Sequence, residues 1–331
     1  MTPHDISRKC RISLFEAQKA FSDVCDQLSR PLHYLGQFVP GHESIITTGD
    51  SELDCAVGGG IRTGMIWEVV GESASGKSQL ALQLSLLVQL PTALGGVLGS
   101  SCYLTSSSTL STERLDQLLH AHPLLSLSLC DLKNVHTIST SSPELLFHVL
   151  STILPQFISD TSRNLSLKPV KLVVLDALPD IFRSTPATTT ALLVDRSRYI
   201  TEFSSLLQRL ASKHDIAVLV LNSVVDVFDN EPFDSSITRE ILYHDQFRWF
   251  ARSEVESGAD GKEASLGLMW ANQINARLFM ERTRRRCYID DSVKPADRST
   301  KDDFMLIRKL GVVFSSVSLP ASLDYIVTST G

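Results

Sequence analysis

The chain is poor in several features, and each absence closes a class of protein. Its six cysteines, Cys10, Cys25, Cys55, Cys102, Cys130 and Cys287, are scattered, with no C-x-x-C pair and no metal-ligand spacing. With no secretory signal in view, a disulfide framework and a zinc module are both excluded, and a reducing compartment, cytosol or nucleus, is expected. Long apolar runs are missing as well. The most apolar stretch, Leu80 to Leu90, is too short to span a bilayer and carries Gln83 and Gln89, so no membrane partner is expected. The nine histidines form no H-E-x-x-H, and no serine-hydrolase elbow is present. Basic charge is also in deficit: 31 Lys and Arg against 37 Asp and Glu leave a formal net charge of -6. An anionic partner must therefore be met by a local basic patch or a backbone nest rather than by the summed field.

What remains is a chain built to fold. It has 331 residues, 43% of them apolar and 21% charged, ample for a buried core. Residues 1–43 hold one helical stripe, Ile12 to Leu28, followed by a Pro- and Gly-bearing linker. From residue 44 to 331 the texture is α/β. Strands are expected at Met65 to Val70, Ser101 to Thr105, Lys171 to Asp176, Ile216 to Leu221, Ala276 to Arg282, Val312 to Ser316 and Asp324 to Thr328. Helices are expected at Gln79 to Gln89, Ser111 to Ala121, Pro143 to Ile158 and Asp195 to Lys213. Alternation of this kind implies a mainly parallel sheet, and the unbroken apolar runs Val173 to Leu175 and Ala217 to Leu221 suit central strands covered on both faces. The last strands, with short connections, suit antiparallel hairpins at one edge. Two long segments fit neither pattern, Ser184 to Val194 and residues 224–265, and are expected as loops.

The strongest chemical signal is Gly71-Glu72-Ser73-Ala74-Ser75-Gly76-Lys77-Ser78, a complete G-x-x-x-x-G-K-S that by chance occurs in about 1% of chains this long. A β run leads into it and a helix of good formers, starting at Gln79, leads out. Glycines let the backbone turn tightly and aim N–H groups at phosphate oxygens, while the helix N-terminus contributes a positive dipole end. Lys77 then reaches the terminal phosphates of ATP and Ser78 ligates Mg²⁺. Such a loop needs a second element, an apolar strand ending in a carboxylate, and Lys171-Leu172-Val173-Val174-Leu175-Asp176 supplies it. Asp176 is assigned to Mg²⁺.

Around this loop the sequence resembles a known family. Ile46-Thr47-Thr48-Gly49-Asp50-Ser51-Glu52-Leu53-Asp54, then Gly58-Gly59-Gly60-Ile61-Arg62-Thr63-Gly64, the phosphate loop, and Val88-Gln89-Leu90-Pro91 match in order the ATPase core of the eukaryotic RecA-type recombinases. Later matches are Glu113-Arg114-Leu115, Asp176, Arg183 and Leu266 to Arg277 with its Trp270-Ala271-Asn272, which resembles the recombinase paralogues, especially the fungal mediator subunits. The resemblance implies a RecA-like ATP-binding core over residues 44–331, ATP and Mg²⁺ as cofactors, and Arg114 as an adenine-stacking residue, a solvent-exposed helix arginine being the alternative. It also implies a nuclear role in homologous-recombination repair of double-strand breaks. Another paralogue and the strand-exchange recombinase are the implied partners, with single-stranded DNA reached mainly through the complex.

Departures from the family pattern bear on catalysis. Ser107 stands where the family has the glutamate that activates water, and Ser223 where it has the glutamine that senses the terminal phosphate. Groups of this kind contribute about 10²- to 10⁴-fold, so hydrolysis is expected to be weak or absent. Glu72 and Glu113 are the nearest substitute bases, but Glu72 is expected to face solvent and Glu113 to favour a helix dipole. An active DNA-dependent strand-exchange ATPase, or a P-loop nucleotide kinase, is the alternative function.

Three further segments are open to more than one reading. Arg282-Thr283-Arg284-Arg285-Arg286 is the one dense basic run, expected as a turn at a sheet edge and read as a DNA contact, an import signal or a solvated hairpin. Arg196 and Arg198 are candidates to hold a phosphate. Phe247, Arg248, Trp249 and Phe250 either stack on bases or dock on protein.

Overall fold

In the computed structural model the described residues are 2–28, 44–106, 109–125, 129–182, 190–227, 261–288 and 304–331. They divide into two units, Met1–Glu43 and Ser44–Gly331. Within the first, helix α1 (Pro3–Cys10) begins with a capping box in which the Thr2 hydroxyl accepts from the Asp5 N–H and the Asp5 carboxylate accepts from the Thr2 N–H. The apolar stripe does not register this polar helix, although Thr2-Pro3-His4-Asp5 is a legible start signal. Helix α2 (Leu14–Leu28) is the striped one.

The second unit starts with β1 (Ile45–Ile46), α3 (Ser51–Ala56) and β2 (Ile61–Arg62), β1 and β2 forming a small antiparallel pair. Its threonines and aspartates have physical jobs. Asp50 caps α3 by accepting from the Glu52 and Leu53 N–H groups, at 2.9 and 2.8 Å. Asp54 accepts from the Thr47 hydroxyl and from both the N–H and hydroxyl of Thr48, at 2.5 to 2.7 Å, which locks the turn before the helix.

Then follow β3 (Ile66–Gly71), α4 (Lys77–Leu87), β4 (Ser100–Thr105), α5 (Thr112–Ala121), β5 (Val135–Ser139), α6 (Pro143–His148), α7 (Leu154–Arg163), β6 (Val170–Asp176), α8 (Thr190–His214), β7 (Ala217–Val227), β8 (Gly261–Ala264), α9 (Gly267–Ala271), β9 (Ala276–Tyr288), β10 (Phe304–Ser315) and β11 (Ala321–Tyr325). A π-helical turn, Val149–Ile153, joins α6 to α7. Pro155 follows it; its missing N–H and its ring disturb the regular ladder one turn upstream.

The main sheet has the order β11-β10-β9-β3-β7-β6-β4-β5. From β9 to β5 every pair is parallel, and β10 and β11 add antiparallel strands at one edge. Alternation along the central strands sorts the two cores. Leu172 and Val174 of β6 and Ala217, Leu219 and Leu221 of β7 pack on the side of α4 and α5. Val173, Leu175, Val218 and Val220 pack on the other side, with α7 and α8. Helix α4 is buried from Leu80 to Leu87, which explains why leucines fall on all its sides, with Gln83 and Ser85 the buried polar exceptions.

Several expectations change here. The strand expected to begin at Val312 begins at Phe304, and β5 was not anticipated because its half-exposed Val-His-Thr-Ile-Ser pattern is short. The basic run is no turn: Arg282 to Arg286 lies inside β9, paired with β10. The 224–265 loop is not irregular at its ends. Residues Val224–Val227 continue β7 and pair antiparallel with β8 as a ribbon. Likewise α8 begins at Thr190, inside the first expected loop, and so carries Arg196 and Arg198. Arg183, Ser107 and Phe247 to Phe250 lie outside the described residues.

A polar network crosses the sheet behind the phosphate loop. Glu68 of β3 and Arg277 of β9, both fully buried, are paired at 2.5 Å, and Asn222 of β7 donates to the other Glu68 oxygen at 2.7 Å. The Arg277 guanidinium also lies over the Phe314 ring, 5.5 Å from its centroid.

Candidate functional site

Strand β3 delivers the phosphate loop between two parallel neighbours, Gly71 being level with Ser223 on β7 and Met280 on β9. Glycine is required there by contact: a Cβ on Gly71 would lie 2.3 Å from the Met280 carbonyl oxygen. At the far end Gly76 has φ +109°, outside the reach of ordinary side chains, and releases the chain into α4. The loop is braced from outside. The Tyr325 hydroxyl donates to the Ser75 carbonyl, and Arg308 Nε donates to the Ala74 carbonyl at 3.3 Å. Ser73 and Ala74 form its exposed crest.

Lys77 Nζ donates to the carbonyls of Gly71 and Glu72, at 2.8 and 2.6 Å. An ammonium has three donors, so one remains for a phosphate oxygen. Burial pulls the Lys77 pKa below its ordinary value, partly opposed by Asp176 and Asp180. An anion in the loop favours the charged form, so phosphate and lysine reinforce each other. Ser75 Oγ is buried without a partner within the protein. An unpaired polar atom at the floor of the loop is a feature that a bound anion or water satisfies.

Ser78 and Asp176 meet as the sequence pattern requires: Ser78 Oγ donates to Asp176 Oδ2 at 3.0 Å. Tyr103 of β4, which the sequence reading missed, donates to the same oxygen at 2.6 Å. Burial, together with the neighbouring Asp176 charge, pushes the Tyr103 phenol well above the usual range, so it stays a donor and orients the carboxylate. Its signal was only that it lies on the strand beside β6. Among the described residues no cluster of three or more His, Cys, Asp or Glu could hold a metal without help. One hydroxyl and one carboxylate suit Mg²⁺, which keeps waters and takes phosphate oxygens as ligands. The donor set therefore fits Mg²⁺ carried by a nucleotide.

Beside the N-terminus of α4 opens a cavity of about 280 Å³, lined in part by Gly76, Gln79, Gln83, Leu323 and Val327. Gln79 Oε1 accepts from Arg114 Nε at 2.7 Å, but its buried Nε2 has no partner within the protein. Arg114 is not a free surface arginine. Its guanidinium also donates to Gln117 Oε1 at 2.8 Å and to the carbonyls of Thr328 and Ser329 at 2.7 and 3.0 Å. These bonds occupy the edge of the plane and leave its face for stacking.

Other expected roles are redistributed. Glu72 does not face solvent: its carboxylate is 14% exposed and is paired with Lys262 of β8 and, at 2.9 Å, with Arg282 of β9. Its contribution to a phosphate site is through its backbone. Glu113 is exposed in the first turn of α5, where a carboxylate suits the dipole. Ser223 Oγ lies 3.2 Å from Ser265 Oγ, both hydroxyls too short to act as the missing glutamine. Arg196 donates to the Ser265 carbonyl at 2.9 Å and stacks over Phe182, and Arg198 pairs with Glu202 at 3.0 Å, so neither is a ready phosphate ligand. In the basic strand Arg285 pairs with Asp324 at 2.5 Å. No helix among the described residues is long and apolar enough to cross a membrane.

Comparison with known proteins agrees with this geometry. The family model described as Rad51 matches residues 42–241. An Arabidopsis thaliana relative, "DNA repair protein XRCC3 homolog", is 32% identical over 297 residues, covering 86% of this chain and 91% of the relative. The Schizosaccharomyces pombe "DNA repair protein rhp57" is 28% identical over 86% of this chain and 78% of its own length. An archaeal "DNA repair and recombination protein RadA" from Metallosphaera sedula is 30% identical over 73% of each chain. With a family match over most of the chain, and a relative aligned over nearly its full length, the chain belongs to the Rad51 family of RecA-type recombinases, on the side of the recombinase paralogues.

Proposed function

We propose that this chain is an ATP-binding recombinase paralogue, a nuclear subunit that assists the assembly or stability of the strand-exchange filament in homologous-recombination repair. The observation that carries nucleotide binding is the meeting of Lys77, Ser78 and Asp176 at one loop, next to a cavity with an unpartnered Gln79 amide. In this reading the backbone of Gly71 to Gly76 holds the phosphates, Lys77 neutralises them, and Ser78 and Asp176 hold the metal. The base lies between the cavity and Arg114, which is bonded to Gln79 from outside the cavity's lining; the Gln79 amide donates to the base and the Arg114 face stacks on it. Mg²⁺ bound with ATP supplies charge compensation between the terminal phosphates.

Two residue types argue against turnover. Ser107 stands where the family has the glutamate that activates water, and Ser223 is level with Gly71 where a longer amide would be needed. ATP then acts as a ligand that stabilises one arrangement of the subunit rather than as fuel. Its relatives are named as DNA repair proteins, and we assign this chain to the same process, with another paralogue and the strand-exchange recombinase as partners. The acidic balance supports a reading in which most single-stranded DNA affinity belongs to the complex.

The test is a titration of the purified chain with fluorescent ATP and Mg²⁺, alone and with candidate partner subunits. Lys77→Ala removes one charge-assisted bond to phosphate, worth about 1.5–3 kcal/mol, so affinity falls by about 10- to 10²-fold. Unchanged affinity in Lys77→Ala, or robust DNA-stimulated hydrolysis by the isolated wild-type chain, overturns the reading.

A further inference from the structure

Glu72 joins two parts of the molecule in one residue. Its carbonyl belongs to the phosphate loop and accepts from Lys77, while its carboxylate is held by Lys262 on β8 and Arg282 on β9. For a loop that binds an anion, a carboxylate is a costly neighbour, because like charges repel. Two cations offset that cost, and they come from two different strands. β8 is the exit strand of the β7–β8 ribbon, and it has a second anchorage three residues on. There Ser265 donates through its N–H to the Ser223 carbonyl at 3.0 Å and through its hydroxyl to Asn222 Oδ1 at 2.6 Å. Its carbonyl accepts from Arg196 of α8. One end of this short segment is thus tied to the sheet and α8, and Lys262 ties it to the phosphate loop. Ser223, level with Gly71, cannot make such a tie, since its hydroxyl is turned to Ser265.

Resting on the nucleotide-binding reading above, we propose that Lys262 is a positioning residue that, through Glu72, links the phosphate loop to the β7–β8 ribbon, so that phosphate binding tightens the pairing of that ribbon. The physical basis is local charge. Glu72, Lys262 and Arg282 together carry one net positive charge, so a polyanion seated in the loop favours the fully paired cluster, with both cations kept on Glu72 beside it. The ribbon strand that carries Lys262 is held more firmly as a result. Coupling of this kind is reciprocal: a firm ribbon strengthens nucleotide binding by the same factor as nucleotide firms the ribbon.

Hydrogen exchange read at Val224–Val227 and Gly261–Ala264, with and without saturating non-hydrolysable ATP and Mg²⁺, tests the link. Wild-type protein is expected to slow about tenfold at these amides on nucleotide binding. Lys262→Met abolishes the slowing at saturation and weakens nucleotide affinity by no more than that factor, while Lys262→Arg restores both. Amides of β6 serve as the folding control, and if Lys262→Met fails it, Arg282→Met takes its place and shows a reduced slowing. Slowing retained in Lys262→Met, or absent from nucleotide-saturated wild type, or lost equally in Lys262→Arg, overturns the proposal. If wild type binds no nucleotide in the accompanying titration, the nucleotide-binding reading fails and this link fails with it; binding without slowing refutes the link alone.

Discussion

Arg277 offers a measurable test of how the centre of the sheet is held together. Arg277 and Glu68 are both fully buried, paired at 2.5 Å, with Asn222 donating to the remaining Glu68 oxygen at 2.7 Å. Replacing Arg277 by Met keeps the length and much of the apolar stem but leaves Glu68 charged inside the sheet with one neutral donor. Breaking a buried pair from one side costs about 3–5 kcal/mol, more than the net worth of the pair, because a carboxylate without its counter-charge stays desolvated. Lost stacking on Phe314 adds a little to that. The companion double variant, Glu68→Leu with Arg277→Met, removes both charges and is expected to recover most of the loss. Thermal unfolding monitored by circular dichroism reads the difference: at about 2–4 °C per kcal/mol for a unit of this size, Arg277→Met lowers Tm by about 6–20 °C. A loss below about 3 °C would mean that Glu68 finds water or another partner. A double variant less stable than Arg277→Met would mean that packing, not stranded charge, sets the cost.

Two further predictions each rest on a single residue. Gly71→Ala places a methyl 2.3 Å from the Met280 carbonyl oxygen and 2.7 Å from Ser75 Oγ, so β3 must shift against β9; nucleotide affinity in the titration above is expected to fall at least tenfold, and wild-type affinity would refute the contact. His122 is buried, its Nδ1 accepts from the Leu124 N–H at 3.2 Å, and burial lowers its pKa below the usual 6.5. The unfolded chain then takes up the proton first as pH falls, so stability is fully present above pH 6.5 and is lost as pH drops below it, by at most about 1.4 kcal/mol per pH unit for this group. His136 and His214 shift in the same direction and add to the slope. Tm should fall between pH 7.5 and 5.5, and less steeply in His122→Gln; parallel curves for the two proteins refute the assignment.

Much of the candidate site was legible because it is written in local chemistry. Glycine spacing, a lysine and a serine at a helix start, and an aspartate closing an apolar strand each have a backbone or charge reason visible in one short segment. The fold class was legible for the same reason, since period-2 and period-3.6 patterns are local. What escaped was decided by partners distant in the chain. Glu72 reads as a solvent-facing loop acid until β8 and β9 bring Lys262 and Arg282 to it. The arginines at 282–286 read as a turn, because charge in sequence suggests exposure, yet pairing with β10 makes them a strand whose side chains alternate between faces. Arg114 reads as either exposed or stacking, and its bonds to Thr328 and Ser329, far along the chain, are what orient it.

By itself, then, the sequence determined the α/β class and the phosphate-loop motif, with the serine and aspartate proposed here to hold the metal, because each depends on residue type at short range; that the catalytic glutamate and the sensing glutamine are replaced is what its resemblance to the recombinases implied. Tertiary structure alone decided which side chains share a charge. Tyr103 reaches Asp176 because β4 and β6 are neighbours, and Lys262 reaches Glu72 because the ribbon folds back on the loop. Hydrogen bonds and ion pairs act over a few ångströms, and no periodicity along the chain encodes which distant strand comes that close.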